Sequence, residues 1–328
     1  MDLSFFEKKS VHYVYYPSQR DLNSDPLVVW FTGGPGCSSL LANFHEIGPF
    51  TFPLGKKTLK FNEYAWNKEA NLLFLEMPVG VGFSETDDKE TTITDAIFAK
   101  DALYAMGLFY SRFPALKKSE LYLSGHGYAA VYIGYLAQLI NEENSYEKTF
   151  SEKINLKGLL LGNPCVKPDE CYASGSEKQS SYHYEFLYHR AFYSDRDYSD
   201  YIRDCLFDYN SVPCYNRRVK MDELFNNTRS SPYNIYSKCW RGKNDTRPNY
   251  VNTGCEDIAG IENYLNDPIV RDNWNIRDGA PEWLPCNNRV FHEYHGDAKN
   301  IYWMMPDLIK SGLRIVMCVL CSGFTQGT

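Results

Sequence analysis

No stretch of the 328-residue chain is apolar for long enough to suggest a membrane span. The longest apolar run towards the C-terminal end, residues 315–321, falls far short of the roughly 20 residues that a spanning helix needs. Basic residues are not in excess either, since 34 Lys and Arg stand against 41 Asp and Glu, a formal net charge of -7. A chain with this net charge has no overall positive electrostatic field that would attract a phosphate backbone. We therefore expect no membrane span and no nucleic-acid partner.

Two kinds of local signal are also missing. The first nine residues have neither the basic start nor the apolar segment of about 7–15 residues that a secretory signal needs. We expect either a cytosolic protein or a natural N-terminus that precedes this sequence. No phosphate-binding G-x-x-x-x-G-K loop and no dinucleotide fingerprint occurs, so we expect no nucleotide and no other cofactor.

Cysteine is abundant, by contrast. The chain has ten cysteines, and six of them fall between Cys165 and Cys255. Such a count favours disulfides and hence a protein of the secretory pathway. Acceptor triplets for N-glycosylation begin at Asn226 and Asn244 and would suit surface loops of such a protein.

The first half of the chain alternates strand-like and helix-like blocks. Apolar runs predict strands at residues 26–31, 70–76, 120–124 and 156–161. Helical spacing predicts helices at residues 94–113 and 128–140. This alternation predicts an α/β protein with a mostly parallel sheet, because parallel strands need crossover connections that helices usually supply.

Beyond residue 165 the composition changes. The chain becomes rich in Tyr, Ser, Asn, Asp and Cys, which indicates an inserted cap region, and a short helix at 305–311 and a core strand at 315–320 follow later. We therefore expect a first core segment at residues 1–165, the cap at 166–255 and a second, incomplete core segment at 256–328.

Two glycine-rich turns follow predicted strands. Residues 30–39 read Trp-Phe-Thr-Gly-Gly-Pro-Gly-Cys-Ser-Ser, a rigid loop with uncovered backbone N–H groups, as an oxyanion hole requires. An ordinary tight turn is the alternative. Residues 125–129, Gly-His-Gly-Tyr-Ala, stand between a strand and a helix, the context of a nucleophile elbow. The position of the attacking hydroxyl is Gly127, which has no side chain and cannot attack a carbonyl.

These segments resemble the signatures of the serine carboxypeptidase family of α/β-hydrolases. The family patterns W-L-N-G-G-P-G-C-S-S, E-S-P-x-G-V-G-F-S and G-E-S-Y-A-G are similar, in this order, to residues 30–39, 76–84 and 125–130. Residues 264–266 and 282–287 are most similar to the lysosomal cathepsin A branch. The resemblance implies an α/β-hydrolase fold with a mostly parallel central sheet flanked by helices and an inserted Cys-rich cap. We expect the final strands and helix of that fold to be missing here.

The resemblance also implies catalytic roles. Backbone N–H groups of Gly34 and Tyr128 would form the oxyanion hole. The nucleophile is replaced by Gly127, no Asp follows residues 315–320 where the family has one, and the last histidine, His295, precedes that strand. We expect the family reaction, release of C-terminal residues through a serine acyl-enzyme, to be absent from this chain.

A further implied site would hold the terminal carboxylate of a peptide substrate. Its ligands would be the N–H of Gly33 and the side chains of Thr32, Glu46 and His126. Glu46 matches the family, whereas Thr32 replaces an Asn and His126 replaces a Glu. Buried acids there are expected to share protons with the substrate. A protonated His126 would pair with a carboxylate, or else it is a polar residue that fills a vacated pocket.

Disulfide pairs follow from the resemblance only in part. It implies that Cys37 pairs with Cys286 and Cys239 with Cys255, and the pairing of the other six cysteines stays open. His292 and His295 have a spacing that favours ordinary histidines over a metal site, and we expect no metal.

Three functions remain open at this point. The chain is an inactive serine carboxypeptidase-like protein, or a non-catalytic protein that binds peptides or a protein partner, or a truncated product without function. Peptide C-termini are the expected partners, and a homodimer is compatible with the family. The expected location is the secretory pathway, in a vacuole or lysosome or outside the cell.

Overall fold

The computed structural model describes residues 9–52, 58–87, 92–146, 153–167, 177–231, 234–236, 258–296 and 301–319. The described chain divides into two compact units. The first contains the described residues up to Val166 and from Ile258 to Val319, and the second contains those from Lys167 to Tyr236. Within these ranges no helix is both long and apolar enough to cross a bilayer.

A six-stranded sheet forms the centre of the first unit. The strands of this unit are β1 (Lys9–Ser10), β2 (Tyr13–Tyr16), β3 (Leu27–Thr32), β4 (Phe50–Thr51), β5 (Lys60–Phe61), β6 (Asn71–Leu75), β7 (Glu85–Thr86), β8 (Ile93–Thr94), β9 (Leu121–His126), β10 (Leu156–Gly162), β11 (Tyr294–His295) and β12 (Arg314–Cys318). The central sheet has the order β12-β10-β9-β3-β6-β2. Its neighbours pair in parallel except for β2, which pairs with β6 in antiparallel orientation. The prediction of a mostly parallel sheet is confirmed.

Helices of the first unit flank this sheet. The described helices of the whole chain are α1 (Leu40–His45), α2 (Asp95–Arg112), α3 (Ala129–Ser145), α4 (Glu177–His189), α5 (Asp195–Cys205), α6 (Val212–Thr228), α7 (Ala259–Leu265), α8 (Pro268–Asn273), α9 (Asn288–Glu293) and α10 (Met305–Lys310). Helices α4, α5 and α6 belong to the second unit. In the first unit α2 packs against α3, and α3 lies against β9 and β10.

The ends of α2 have local causes. The hydroxyl of Thr94 accepts a hydrogen bond from the backbone N–H of Ile97 at 3.3 Å and caps the first turn. Asp95 follows in that turn, where a negative charge suits the helix dipole. The helix ends before Pro114, because the residue preceding a proline is disfavoured in helical conformation. The long helix therefore fits the sequence prediction to within one residue at each end.

One strand differs from its prediction. The apolar run at 315–320 predicts a core strand, but β12 lies at one edge of the described sheet and pairs there with β10. Val316 and Met317 are 55% and 44% exposed. The expectation of a core position is wrong, because an apolar run alone does not reveal whether both sides of a strand are covered.

Helices α4, α5 and α6 form the second unit around an aromatic core. Its buried residues include Tyr184, Tyr201, Tyr209 and Phe225. A disulfide between Cys205 and Cys214 joins the end of α5 to the start of α6. Serine hydroxyls cap both helices, Ser194 for α5 and Ser211 for α6.

Acidification is expected to destabilise the second unit through His183. Burial lowers the pKa of this imidazole to about 4. The unfolded chain therefore binds more protons than the folded chain between pH 6.5 and 4, so stability falls as the pH falls through that window. At 1.36 kcal/mol per pKa unit, we expect a loss of about 2–3 kcal/mol between pH 7 and pH 4.5.

Urea unfolding at these two pH values measures the effect. His183→Phe should reduce the pH dependence, whereas His189→Phe, which replaces an exposed histidine of the same helix, should leave it unchanged. An equal pH dependence in His183→Phe and in the unmodified chain would contradict the prediction.

Candidate functional site

The glycine-rich loop after β3 lies directly against the turn after β9. A Cβ atom added to Gly33 would stand 2.5 Å from the carbonyl oxygen of His126 and 2.7 Å from the backbone nitrogen of Tyr128. Gly34 and Gly36 have φ angles of 145° and 96°, which favour glycine. The structure thus brings this loop next to the Tyr128 N–H, the second predicted oxyanion donor.

Gly127 occupies the sharp turn between β9 and α3. Its φ angle is 59°, in the left-handed region. Its N–H donates to the carbonyl of Gly162 at 3.0 Å, and its carbonyl accepts from the N–H groups of Cys165 at 3.0 Å and Ala130 at 3.2 Å. The backbone is therefore held in the strand–turn–helix arrangement of a nucleophile elbow. No side chain leaves this turn at the position of the nucleophile.

Two of the predicted carboxylate ligands lie side by side. Thr32 and His126 are register partners on β3 and β9. Thr32 is buried, and its hydroxyl accepts a hydrogen bond from Nε1 of Trp30 at 3.0 Å. The half-buried ring of His126 lies 5.9 Å from the Trp30 ring, and its buried Nε2 has no hydrogen-bond partner among the described residues. Of these two side chains, His126 is therefore the one with a polar atom that forms no hydrogen bond to a described residue.

Glu46 differs from its prediction. It follows the last residue of α1, and its side chain is exposed rather than buried. Its carbonyl oxygen accepts a hydrogen bond from Nδ2 of Asn62 at 3.0 Å. The expectation of a buried acid is wrong here, since Glu46 is exposed while the residues that follow it, Ile47 and Gly48, are buried. The described contacts do not join its carboxylate to Thr32 or His126.

A buried carboxylate below the glycine-rich loop has no counterpart among the predicted site residues. Glu76 is fully buried. Its Oε1 accepts hydrogen bonds from the Ser38 hydroxyl and from Nε1 of Trp283 at 3.0 Å. Its Oε2 lies 2.8 Å from Nδ1 of His12 and accepts from the N–H of Phe83 at 3.0 Å. The sequence feature that could have predicted this site is a single acidic residue directly after an apolar strand. Such a residue is expected to be buried, and a buried charge needs hydrogen-bond partners.

A disulfide joins the glycine-rich loop to a segment of the first unit that lies 249 residues later in the sequence. Cys37 and Cys286 are bonded, the pair that the resemblance implies. On either side of the bond, the N–H of Ser38 donates to Pro285 and the N–H of Asn287 donates to Gly36, both at 2.8 Å. The loop is therefore held by covalent and backbone contacts together.

Other predicted cysteine and glycosylation sites are described only in part. Cys239, Cys255 and Asn244 lie outside the described residues. Cys165 is disulfide-bonded, and Cys318 is an exposed free thiol. Asn226 is exposed but lies in the last turn of α6 rather than in a surface loop.

Tyr128 is also fixed by its side chain. Its hydroxyl donates to Oδ1 of Asp95 at 2.9 Å, and the hydroxyl of Tyr294 donates to the same oxygen at 2.7 Å. Asp95 is fully buried, and burial raises the pKa of Tyr294 well above its ordinary value. This network orients the residue whose N–H is a predicted oxyanion donor. The neighbouring His292 and His295 are exposed.

Comparison with known proteins places these features in one family. The sequence pattern of the family "Serine carboxypeptidase" matches residues 2–319. Serine carboxypeptidase-like 28 of Arabidopsis thaliana is 32% identical over 94% of this chain and 66% of its own length. The lysosomal protective protein of Mus musculus is 31% identical over 88% of this chain and 66% of its own length. The chain thus spans slightly less than two thirds of either relative.

A solved structure shows the same fold. The crystal structure of Kex1(delta)p, a prohormone-processing carboxypeptidase from Saccharomyces cerevisiae, superposes with a TM-score of 0.72 at 22% identity. The alignment covers 96% of this chain and 74% of that one. This likeness and the parallel sheet confirm the expected α/β-hydrolase fold. The chain belongs to the serine carboxypeptidase family.

Proposed function

We propose that this chain is a catalytically inactive serine carboxypeptidase-like protein that binds peptides by their C-terminal carboxylate. One observation carries the proposal: the glycine-rich loop lies against the Tyr128 N–H, as an oxyanion hole would, while Gly127 offers no nucleophile. The family reaction passes through an acyl-enzyme on a serine oxygen, and glycine has no atom that forms this bond.

Neighbouring serines do not replace the missing hydroxyl. The Ser38 hydroxyl donates to Glu76. The Ser39 hydroxyl accepts from the backbone N–H of Thr32 at 3.2 Å, and the Ser124 hydroxyl donates to the carbonyl of Leu160 at 3.2 Å. All three serines are buried. Each hydroxyl therefore has a structural role that attack on a substrate would break.

Binding of a carboxylate is supported by the groups around His126. Its Nε2 has no partner among the described residues, and a carboxylate would accept a hydrogen bond from an N–H at this nitrogen. The adjacent glycine-rich loop brings backbone N–H groups, which suit a negative charge. Bound peptide would then be retained rather than cleaved.

Calorimetry with a peptide and its C-terminal amide tests this proposal. We expect the free acid to bind at least tenfold more tightly than the amide, since a charge-assisted hydrogen bond contributes about 1.5–3 kcal/mol. His126→Phe should remove this difference. His189→Phe, at an exposed position, should retain it. Equal affinity for acid and amide, or no binding of either, would refute carboxylate capture.

A further inference from the structure

A cavity of about 210 Å³ lies in the first unit between α2 and the extended segment that carries β1 and β2. On the helix it is lined by Asp101, Ala105, Leu108 and Arg112, which share one face because they follow i, i+4, i+7 and i+11 spacing. At a rise of 1.5 Å per residue, this face extends for about 16 Å. The cavity is therefore elongated along α2.

One end of the cavity wall carries a buried ion pair. Nζ of Lys9 lies 2.7 Å from Oδ2 of Asp101, and the two side chains are 4% and 7% exposed. Oδ1 of Asp101 is buried and has no hydrogen-bond partner among the described residues. Burial raises the pKa of Asp101 and outweighs the lowering effect of Lys9. The carboxylate is thus shielded from solvent, and Lys9 offsets its charge.

The other end carries an uncompensated cation. Arg112 lies in the last turn of α2, is exposed, and forms no ion pair with any described residue. Together with Lys9 and Asp101 it leaves the wall with one net positive charge. Between the two ends α2 contributes Ala105 and Leu108, and Leu75 also lines the cavity, so most of the remaining wall is apolar.

We propose that this cavity binds a single-chain amphipathic carboxylate, with its head group on Arg112 and its apolar tail along α2. A guanidinium is suited to this head group because it donates two parallel hydrogen bonds to a carboxylate. Apolar walls with few polar groups are typical of small-molecule sites. An amine ligand is disfavoured, because Arg112 would repel it and the Asp101 carboxylate is already paired with Lys9. This site is separate from the peptide-binding function proposed above.

Calorimetric titration with octanoate, octanol and octylamine tests the site, because the three probes share a chain and differ in the head group. We expect octanoate to bind at least tenfold more tightly than the other two. Arg112→Gln, at an exposed position, should weaken octanoate at least tenfold and leave octanol unchanged. Lys100→Gln, an exposed cation of the same helix outside the cavity, is the matched control and should bind octanoate normally.

A second variant tests the location. Ala105→Phe would place a ring in the cavity and should abolish binding of octanoate and octanol alike. The proposal is overturned if octanoate shows no binding or binds no better than octylamine. Unchanged octanoate affinity in Arg112→Gln would also overturn it, and this result does not depend on whether Ala105→Phe folds.

Discussion

Glu76→Gln is expected to destabilise the first unit by about 3–5 kcal/mol, the cost of breaking a buried charged cluster by removing one partner. Groups from Ser38, Trp283, His12 and Phe83 converge on the two carboxylate oxygens. An amide keeps one oxygen and presents an NH₂ group in place of the other, where the N–H of Phe83 or Nε1 of Trp283 now donates. At least one buried donor would then be left without an acceptor.

Urea unfolding followed by tryptophan fluorescence measures this loss, since Trp283 lies in the cluster. Glu69→Gln, at a carboxylate that is 72% exposed, is the matched control and should change stability little. If both variants unfold at the same urea concentration, Glu76 does not hold the loop and the role assigned to it is wrong.

Replacement of both Cys37 and Cys286 by serine is expected to cause the second largest loss in the free energy of unfolding. The bond joins residues 249 positions apart, and loop entropy for a closure of that length corresponds to about 5 kcal/mol, with measured losses commonly about 2–5 kcal/mol. For the same substitution at Cys205 and Cys214, which are 9 positions apart, loop entropy corresponds to a stability loss of only about 2–3 kcal/mol.

Thermal unfolding of the two double variants compares these losses. We expect the Cys37 and Cys286 variant to have the lower melting temperature and a raised sensitivity of the 33–39 loop to proteolysis. A larger loss in the Cys205 and Cys214 variant would contradict the view that the long-range bond holds the loop region together.

The parallel core was predictable because buried strands have continuous apolar sequences. The runs that became β3, β6 and β9 were located to within two residues, since both faces of each are covered. The edge position of β12 was not predictable, because its sequence has the same apolar character. Which strand receives a neighbour on each side is a property of the tertiary fold.

The helices of the second unit were not predictable from hydropathy because of their amino-acid composition. Their core consists largely of tyrosine, including Tyr184, Tyr193 and Tyr201, and hydropathy patterns give tyrosine little weight. A tyrosine can bury its ring and still bind a polar partner, as Tyr184 does when its hydroxyl donates to Asp222 at 3.0 Å. Aromatic spacing, rather than hydropathy, was the signal available in this region.

At the candidate site, sequence motifs predicted the turns but not every side-chain environment. The resemblance of the motifs to the family patterns, in the same order, was sufficient to predict that the loop after β3 and the turn at Gly127 belong to one site. The exposure of Glu46 and the convergence of donors on Glu76 depend on contacts between segments far apart in the chain. Such contacts leave no local pattern.

We expect that the turn at Gly127 cannot form an acyl-enzyme, and labelling with an organophosphonate serine reagent measures this property of the protein. Intact-mass spectrometry after incubation, with a parallel assay of blocked-dipeptide hydrolysis from acidic to neutral pH, gives both readouts. We predict no adduct and no hydrolysis above background. One equivalent of adduct accompanied by reagent-sensitive hydrolysis would show that another residue supplies the nucleophile and would contradict the account.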